Sequence, residues 1–186
     1  MYLEEENYNV RTADVEGLKV IVTKMFVPDC TPEKLAVYVD SPWTVIEQMN
    51  NRMVLTKVED QGGYPTYHFM NEMPPMVYNR STFVTFYVTQ DEATGVKTIC
   101  TGSEGNDHLM EQEAESVGSN VQSCLVGNYC KMTPKEGGYE VEQVFSFDLA
   151  GWLPGFVQTL QMSRSKEATR HIFTYLMTGE RPEVVF

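Results

Sequence analysis

The segment from residue 139 to 161 constrains the fold most, because its pattern changes from that of a strand to that of a helix within a few residues. Apolar and polar side chains first alternate with a period of two, as in a strand with one buried face. The apolar set is Tyr139, Val141, Phe145 and Phe147, and the polar set is Glu140, Glu142 and Ser146. Gln143 and Val144 interrupt the alternation. Gly151 permits a sharp turn and Pro154 suits the first turn of a helix, so a sheet leads directly into a final helix.

Earlier in the chain, strand signals are separated by short polar turns, with one helical interruption. Residues 18–27 are rich in β-branched side chains and predict the first strand. Thr31 and Pro32 then suit the cap and first position of a helix that carries the chain to residue 49. Four further strands are predicted at residues 52–60, 64–73, 77–89 and 96–103. The turns between them are typical of hairpins, so we expect an antiparallel sheet.

The remaining segments complete one domain with about seven strands. Residues 119–133 and 139–148 predict the last two strands. Residues 1–16 are polar and acidic without sustained periodicity, so we interpret them as an N-terminal tail or arm. We interpret residues 17–186 as a single domain, because the chain is long enough for one sizeable core and short for two.

Two short motifs carry a resemblance to a known family. Asp148, Gly151, Trp152, Leu153 and Pro154 form the pattern D-x-x-G-W-L-P. Residues 73–84, MPPMVYNRSTFV, are similar to P-P-x-x-x-x-R-D-F-V, with Ser81 in place of the usual Asp. Both patterns resemble those of the steroidogenic acute regulatory-related lipid-transfer domains, the START domains, over residues 17–176. Typical members have two further strands and a helix near the N-terminus, so this chain resembles a version with a shortened N-terminus.

The resemblance implies an α+β helix-grip fold, in which a curved antiparallel sheet wraps a long C-terminal helix and encloses a cavity. It also implies noncatalytic binding and transfer, or sensing, of a lipid or other hydrophobic small molecule. Sterol-transfer members carry an acid and an arginine in the cavity, and the nearest positions here are Tyr67 and Phe86. An aromatic pair makes that part of the cavity drier, with the Tyr67 phenol left to bond one hydroxyl or carbonyl.

The residues implied to face the cavity lie on the strands and on the final helix. The periodic apolar positions of that helix are Leu153, Val157, Leu160, Ala168, Ile172 and Leu176. Arg164 interrupts them, so it extends to solvent, pairs with a carboxylate or meets a polar group of the ligand. Arg80 is expected to brace its strand through an ion pair. The candidate ligand-binding residues are Tyr67, Phe69, Val84, Phe86, Val141, Phe145, Phe147, Val157, Leu160 and Arg164. The alternative is that these side chains fill a closed core.

An acidic segment at residues 105–118 occupies the place of the family's loop over the cavity mouth. Leu109 and Met110 are its large apolar pair, flanked by carboxylates. The resemblance therefore implies a lid loop in which this pair makes transient membrane contact. The alternative is a solvated acidic loop.

Composition and charge exclude several classes of function. The net charge of -12 argues against a nucleic-acid partner, whose phosphates require clustered Lys and Arg. No apolar run reaches the roughly 18 residues that span a bilayer, and the acidic N-terminus is unlike a secretory signal, so we expect a cytoplasmic protein. Cys30, Cys100, Cys124 and Cys130 lack the spacing of metal ligands. We therefore expect reduced thiols, with no metal and no cofactor.

No motif in the sequence predicts an enzyme. His68, His108 and His171 are scattered over a strand, a loop and a helix, and no nucleophile motif or phosphate-binding loop is present. A noncatalytic carrier or sensor is the leading hypothesis. One alternative is a protein-interaction module with a vestigial cavity. Another is a cyclase-type enzyme on the same fold, in which His68, Tyr67 and a carboxylate converge in the cavity.

Overall fold

The computed structural model describes residues 8–15, 18–30, 53–73, 77–117, 121–123, 125–149 and 155–178. The strands in these ranges are β1 (Tyr8–Val15), β2 (Leu18–Pro28), β3 (Met53–Gln61), β4 (Tyr64–Asn71), β5 (Asn79–Gln90), β6 (Lys97–Gly102), β7 (Val121–Ser123), β8 (Leu125–Lys135) and β9 (Gly138–Asp148). The helices are α1 (Asp107–Val117) and α2 (Gly155–Thr178). The turn at residues 151–154 and the helix predicted for residues 31–49 lie outside the described residues.

The described strands form one sheet with the order β1-β2-β9-β8-β6-β5-β4-β3. Every neighbouring pair in this series is antiparallel, which confirms the predicted sheet. The short strand β7 pairs in parallel with the start of β5. Because strand side chains alternate between the two faces, the register assigns each residue to one face of the sheet.

We call the face of the sheet that packs against α2 the inner face, and the opposite face the outer face. Ile172 and Phe173 of α2 belong to the same core cluster as inner-face residues from six strands. The buried members contributed by these strands are Met25, Val27, Tyr67, Val84, Phe86, Ile99, Cys130, Met132, Tyr139 and Val141. The core therefore lies between α2 and the inner face.

The core cluster spans most of the width of a sheet that curves around α2. Five inter-strand steps separate β2 from β4 in the sheet order, which would place them about 24 Å apart in a flat sheet. Met25 of β2 and Tyr67 of β4 nevertheless belong to one packed cluster with α2. The sheet therefore curls around the helix, and the predicted α+β helix-grip architecture is confirmed.

Strand β1 was not predicted, and the one strand predicted for residues 119–133 corresponds to β7 and β8, so the described sheet has nine strands where the sequence predicted about seven. Residues 8–15, part of the segment interpreted as a tail or arm, pair with β2 along the whole of β1. As the edge strand, β1 is exposed from Arg11 to Val15. An edge strand with little buried surface has no apolar alternation to reveal it.

The acidic segment at residues 105–118 was predicted to be a loop, and this prediction is wrong because its residues form α1. The carbonyl oxygen of Asn106 accepts hydrogen bonds from the backbone N–H groups of Leu109 and Met110, at 3.0 and 3.2 Å. Asp107 in the first turn also favours the helix, because a negative charge is stabilised near a helix N-terminus. Acidic composition keeps this segment out of the core without preventing a helix.

Three cysteines, Cys30, Cys100 and Cys130, are free thiols, while Cys124 lies outside the described residues. Among the described helices, none has the length and apolar character needed to span a bilayer.

The close pairing of β2 with β9 predicts that Gly138 does not tolerate a side chain. A Cβ atom there would overlap the carbonyl oxygen of Val27 and lie 3.0 Å from the Cα of Pro28. We expect Gly138→Ala to lower the free energy of unfolding by about 1–3 kcal/mol in a urea titration. The control is Gly102→Ala, also in a strand, where the nearest heavy atom to the new Cβ is 3.9 Å away. Equal stability of the two variants would contradict the predicted clash.

Candidate functional site

An aromatic pair forms part of the interior between the sheet and α2. Tyr67 of β4 and Phe86 of β5 are both buried on the inner face. Their ring centroids are 5.7 Å apart and their planes are nearly perpendicular, at 86°. Burial raises the pKa of the Tyr67 phenol, and the negative charge of Asp60 raises it further. These two positions, predicted to replace the charged pair of sterol carriers, are therefore in direct contact.

The other predicted ligand-binding residues of the sheet all lie on the inner face. Val84 and Val141 are buried in the core cluster, and Phe69 packs against it as a partly buried residue. Phe145 and Phe147 are half-buried on β9, with ring centroids 5.5 Å apart. The register of the strands thus brings the predicted aromatic and aliphatic side chains to one surface.

The predicted helix residues differ in burial. Val157 is fully buried, whereas Leu160 and Arg164 are half-buried. Leu153 and the side chains of Ala168 and Leu176 lie outside the described residues. Four consecutive residues from 171 to 174 are buried, and the sequence analysis recognised only Ile172 among them. A helix that a curved sheet surrounds is buried on more than one side, so a single apolar stripe underestimates its contacts.

Gln143 is an inner-face residue that the sequence analysis misread. It was thought to interrupt the alternation of β9, yet it is 8% exposed and lies between the buried positions of that face. Its Nε2 donates a hydrogen bond of 2.8 Å to Oδ1 of Asn128 on the adjacent strand β8. The alternation therefore continues, with an amide on the buried side and Val144 on the exposed side.

The residues around Gln143 form a dry environment. Cys130 faces Gln143 across β8 and β9 and is fully buried. Burial raises the pKa of the Cys130 thiol from 9.0 to about 12, with a smaller contribution from Cys100. Cys130 has no exposed surface, so little bulk water reaches this part of the inner face.

The side chain of Arg80 links the start of β5 to Leu149, the residue that follows β9. Its side chain is 1% exposed. Its Nε donates to the carbonyl oxygen of Leu149, and a terminal nitrogen donates to that of Tyr78 at 2.6 Å. An ion pair was predicted for this residue, whereas these two hydrogen bonds are to backbone carbonyl oxygens. Arg80 therefore braces the chain just before the segment that leads to α2.

The outer face carries a separate polar cluster beneath α1. Glu113 of α1 contacts Nε2 of His68 at 2.7 Å and accepts a hydrogen bond from the hydroxyl of Ser81. His68 Nε2 also lies 2.9 Å from the Ser81 hydroxyl oxygen, and the His68 ring stacks on Phe83. The side chain of Asn106 joins the cluster by donating to the carbonyl oxygen of Phe83 at 3.1 Å.

This cluster corrects two predictions. Leu109 and Met110, predicted to lie on a lid loop, are half-buried on a helix that Glu113 holds against the outer face. His68 and Tyr67 were predicted to converge in the cyclase alternative, but adjacent strand residues face opposite sides of a sheet. His68 therefore belongs to the outer cluster, while Tyr67 belongs to the interior.

A groove of about 460 Å³ lies between α2 and the hairpin of β1 and β2. Polar and charged residue types predominate along it, in contrast to the inner face, and they include an ion pair of 2.7 Å between Lys19 and Asp14. The lining residues are Thr12, Ala13, Asp14, Lys19, Thr159, Ser163 and Lys166. The first half of α2 is thus separated from the edge of the sheet by an open space.

Several solved structures with the same arrangement of sheet and helix are named as lipid-transfer proteins or domains. Human StAR-related lipid transfer protein 5 is 12% identical, and the match covers 93% of this chain and 83% of that one with a TM-score of 0.68. The chain has the START fold. The human StarD13 (DLC2) lipid transfer and protein localization domain is 15% identical, with 94% and 86% coverage and a TM-score of 0.65. A STAR-related lipid transfer protein from Xanthomonas axonopodis is 16% identical, with 93% and 95% coverage and a TM-score of 0.64.

The likeness of this chain to START domains lies in the fold. No family model matches the sequence, and no curated protein matches it either. These structures are 12% to 16% identical to this chain, so they show its fold and not the roles of its residues. The roles of the inner-face side chains are therefore inferred from their positions in this structure.

The raised pKa of Cys130 predicts a specific loss of stability at alkaline pH. The folded pKa of about 12 exceeds the unfolded value of 9.0, so the stabilisation is complete below pH 9 and is lost as the pH rises from about 9 to about 12. Between pH 8 and pH 10, we expect the unfolding free energy of the wild type to fall by about 1 kcal/mol more than that of Cys130→Val. Urea titrations at both pH values measure this difference.

Ile99→Val serves as the control for altered packing, because Ile99 faces Cys130 across β6 and β8 and does not titrate. It should lower stability equally at both pH values. A wild type and a Cys130→Val variant with the same pH dependence would contradict the prediction.

Proposed function

We propose that this protein binds one lipid or other hydrophobic small molecule between the inner face and α2, and transfers or senses that molecule without altering it chemically. The observation that carries this proposal is the START fold combined with an aromatic and aliphatic inner face. Each methylene group moved from water to such a surface contributes about 0.8 kcal/mol. An acyl chain of ordinary length would therefore bind without any specialised reactive group.

Ligand exchange in this proposal requires α2 to move. The helix covers the inner face and is buried around residues 171 to 174. The groove beside Thr159 and Ser163, between α2 and the hairpin of β1 and β2, offers a route along which the first half of the helix can separate from the sheet. Contact with a membrane surface at this edge would be transient, because the protein carries a net charge of -12 and anionic lipids repel it.

The proposed setting is the cytoplasm, where buried free thiols such as Cys30 and Cys130 stay reduced. Nucleic acid is not among the proposed partners, because the chain has 26 acidic and 14 basic residues. No metal or cofactor enters the proposed activity.

A protein-interaction module is the second candidate, and a band of exposed side chains on the outer face favours it. Tyr87 of β5, Cys100 of β6, Tyr129 of β8 and Val144 of β9 are successive register partners. Tyr64 adds to one end of this band, with its ring centroid 4.8 Å from that of Tyr87. Tyr64, Tyr87, Tyr129 and Val144 are each 38% to 41% exposed, and Cys100 is half-buried between them. Tyrosine-rich exposed bands are typical of protein interfaces.

Native mass spectrometry distinguishes the two candidates. The carrier hypothesis predicts purified protein with one lipid per chain, identified after organic extraction, and exchange of a fluorescent lipid between phosphatidylcholine vesicles. A protein that carries no ligand and exchanges none at any concentration would support the interaction module.

Substitutions on neighbouring residues of β5 test where the ligand lies. Val84→Trp fills the interior with apolar volume, and Phe86→Arg places a charge there, so each should reduce lipid loading at least tenfold. Tyr87→Arg changes the next residue, which is 38% exposed on the outer face, and should load as the wild type does. Circular dichroism checks that each variant is folded. Normal loading in folded Val84→Trp would place the ligand elsewhere.

A further inference from the structure

The polar pair formed by Gln143 and Asn128 leaves one buried acceptor unused. The side chain of Gln143 is 8% exposed, and its Nε2 donates to Oδ1 of Asn128 at 2.8 Å. Its Oε1 is fully buried and has no hydrogen-bond partner among the residues that the structure describes. Buried side-chain oxygens nearly always have a partner, so an unpaired one needs an explanation.

The side chains next to Gln143 do not satisfy this oxygen, and none of them carries a charge. Thr23 and Cys130 are its register partners on either side, and Val141 and Phe145 are its inner-face neighbours along β9. Phe145 and Phe147 extend the apolar surface in one direction. Val141 extends it in the other, toward the residues packed against Ile172 and Phe173 of α2. The amide is thus a polar point within an apolar surface.

We propose that Oε1 of Gln143 accepts a hydrogen bond from the polar end of the bound ligand, and that Asn128 positions the amide for this contact. The inference rests on the proposed function and adds the class of ligand. Because Oε1 is only an acceptor, the ligand group that meets it must supply an O–H or N–H. The apolar body of the ligand lies against Phe145 and Phe147.

The neutral surroundings further restrict the ligand. A phosphate or carboxylate head beside Oε1 would meet another acceptor and would lack a cation among its immediate inner-face neighbours, which makes burial of the charge unfavourable. A neutral lipid with a hydroxyl or amide donor, such as a long-chain alcohol, a sterol or an N-acyl compound, satisfies the oxygen and keeps its apolar body dry. Gln143 therefore favours neutral donor lipids over ionised ones.

The decisive experiment compares two probes that differ in one hydrogen-bond donor. Hexadecan-1-ol has a hydroxyl group, whereas its methyl ether retains the oxygen and the chain but cannot donate. Their dissociation constants are measured by displacement of a bound fluorescent dye, with native mass spectrometry confirming one ligand per chain. The wild type should bind the alcohol about tenfold more tightly than the ether, because the ether leaves the buried acceptor unpaired.

Two variants at residue 143 test the residue itself. Gln143→Leu removes the acceptor. Because the branched Leu side chain can disturb packing, Gln143→Met is the second variant: it removes the acceptor and keeps an unbranched side chain of nearly the same length. Each should reduce the preference for the alcohol to about onefold by weakening alcohol binding, with ether binding unchanged or tighter. Asn128→Ala, which frees the amide to rotate, should reduce the preference by a smaller factor. Val144→Ala, on the outer face of the same strand, should keep the wild-type preference.

The outcomes separate this inference from the proposed function. If neither probe binds the wild type and no lipid co-purifies with it, the proposed function is wrong and the assignment of Gln143 falls with it. If neither probe binds although a lipid co-purifies, lipid binding stands and the role of Gln143 is refuted. If both probes bind equally well, or the preference survives in both variants at residue 143, lipid binding stands and the role of Gln143 is refuted. A preference for the ether would also refute it, because the ligand would then not be the donor.

Discussion

The burial of α2 within the curved sheet is the constraint on which the other features of this protein depend. Ile172 and Phe173 belong to one core cluster with side chains from both halves of the sheet, and neighbouring helix residues are buried as well. A flat sheet would contact the helix along one stripe, whereas a curled sheet encloses more of its circumference. The curvature of the sheet and the burial of the helix therefore stabilise each other, and the inner face exists as an interior only when both are present.

The strands with a buried face and the final helix could be predicted, because burial on one face leaves a periodic pattern in the sequence. The positions of β2, β5 and β9 follow such patterns closely. Strand β1 lies at the edge of the sheet and is mostly exposed, so it leaves no pattern to read. The three residues of β7 were predicted as part of one strand with β8, because their pairing with β5 depends on the arrangement of the strands in space. Helix α1 was missed because its acidic composition resembles that of a solvated loop.

The candidate site was predictable as a set of apolar positions but not in its polar details. The alternation placed Tyr67, Phe86 and Val141 correctly on one face. The same rule failed at Gln143, because a polar residue on a buried face resembles a break in the strand. Contacts between distant residues, such as Glu113 with His68 or Arg80 with Leu149, depend on how the strands are ordered in space. No local pattern contains that information.

Because the sheet is one layer of backbone thick, β4 contributes side chains to both sides of the protein. Tyr67 belongs to the interior aromatic pair, while the next residue, His68, belongs to the polar cluster beneath α1. One peptide unit therefore separates a side chain in the interior from one that contacts an outer helix. A displacement of β4 that accommodates a change in α1 also displaces the Tyr67 ring, because the two side chains leave the same stretch of backbone. The two sides of the protein are mechanically coupled at this point, without any intervening chain of residues.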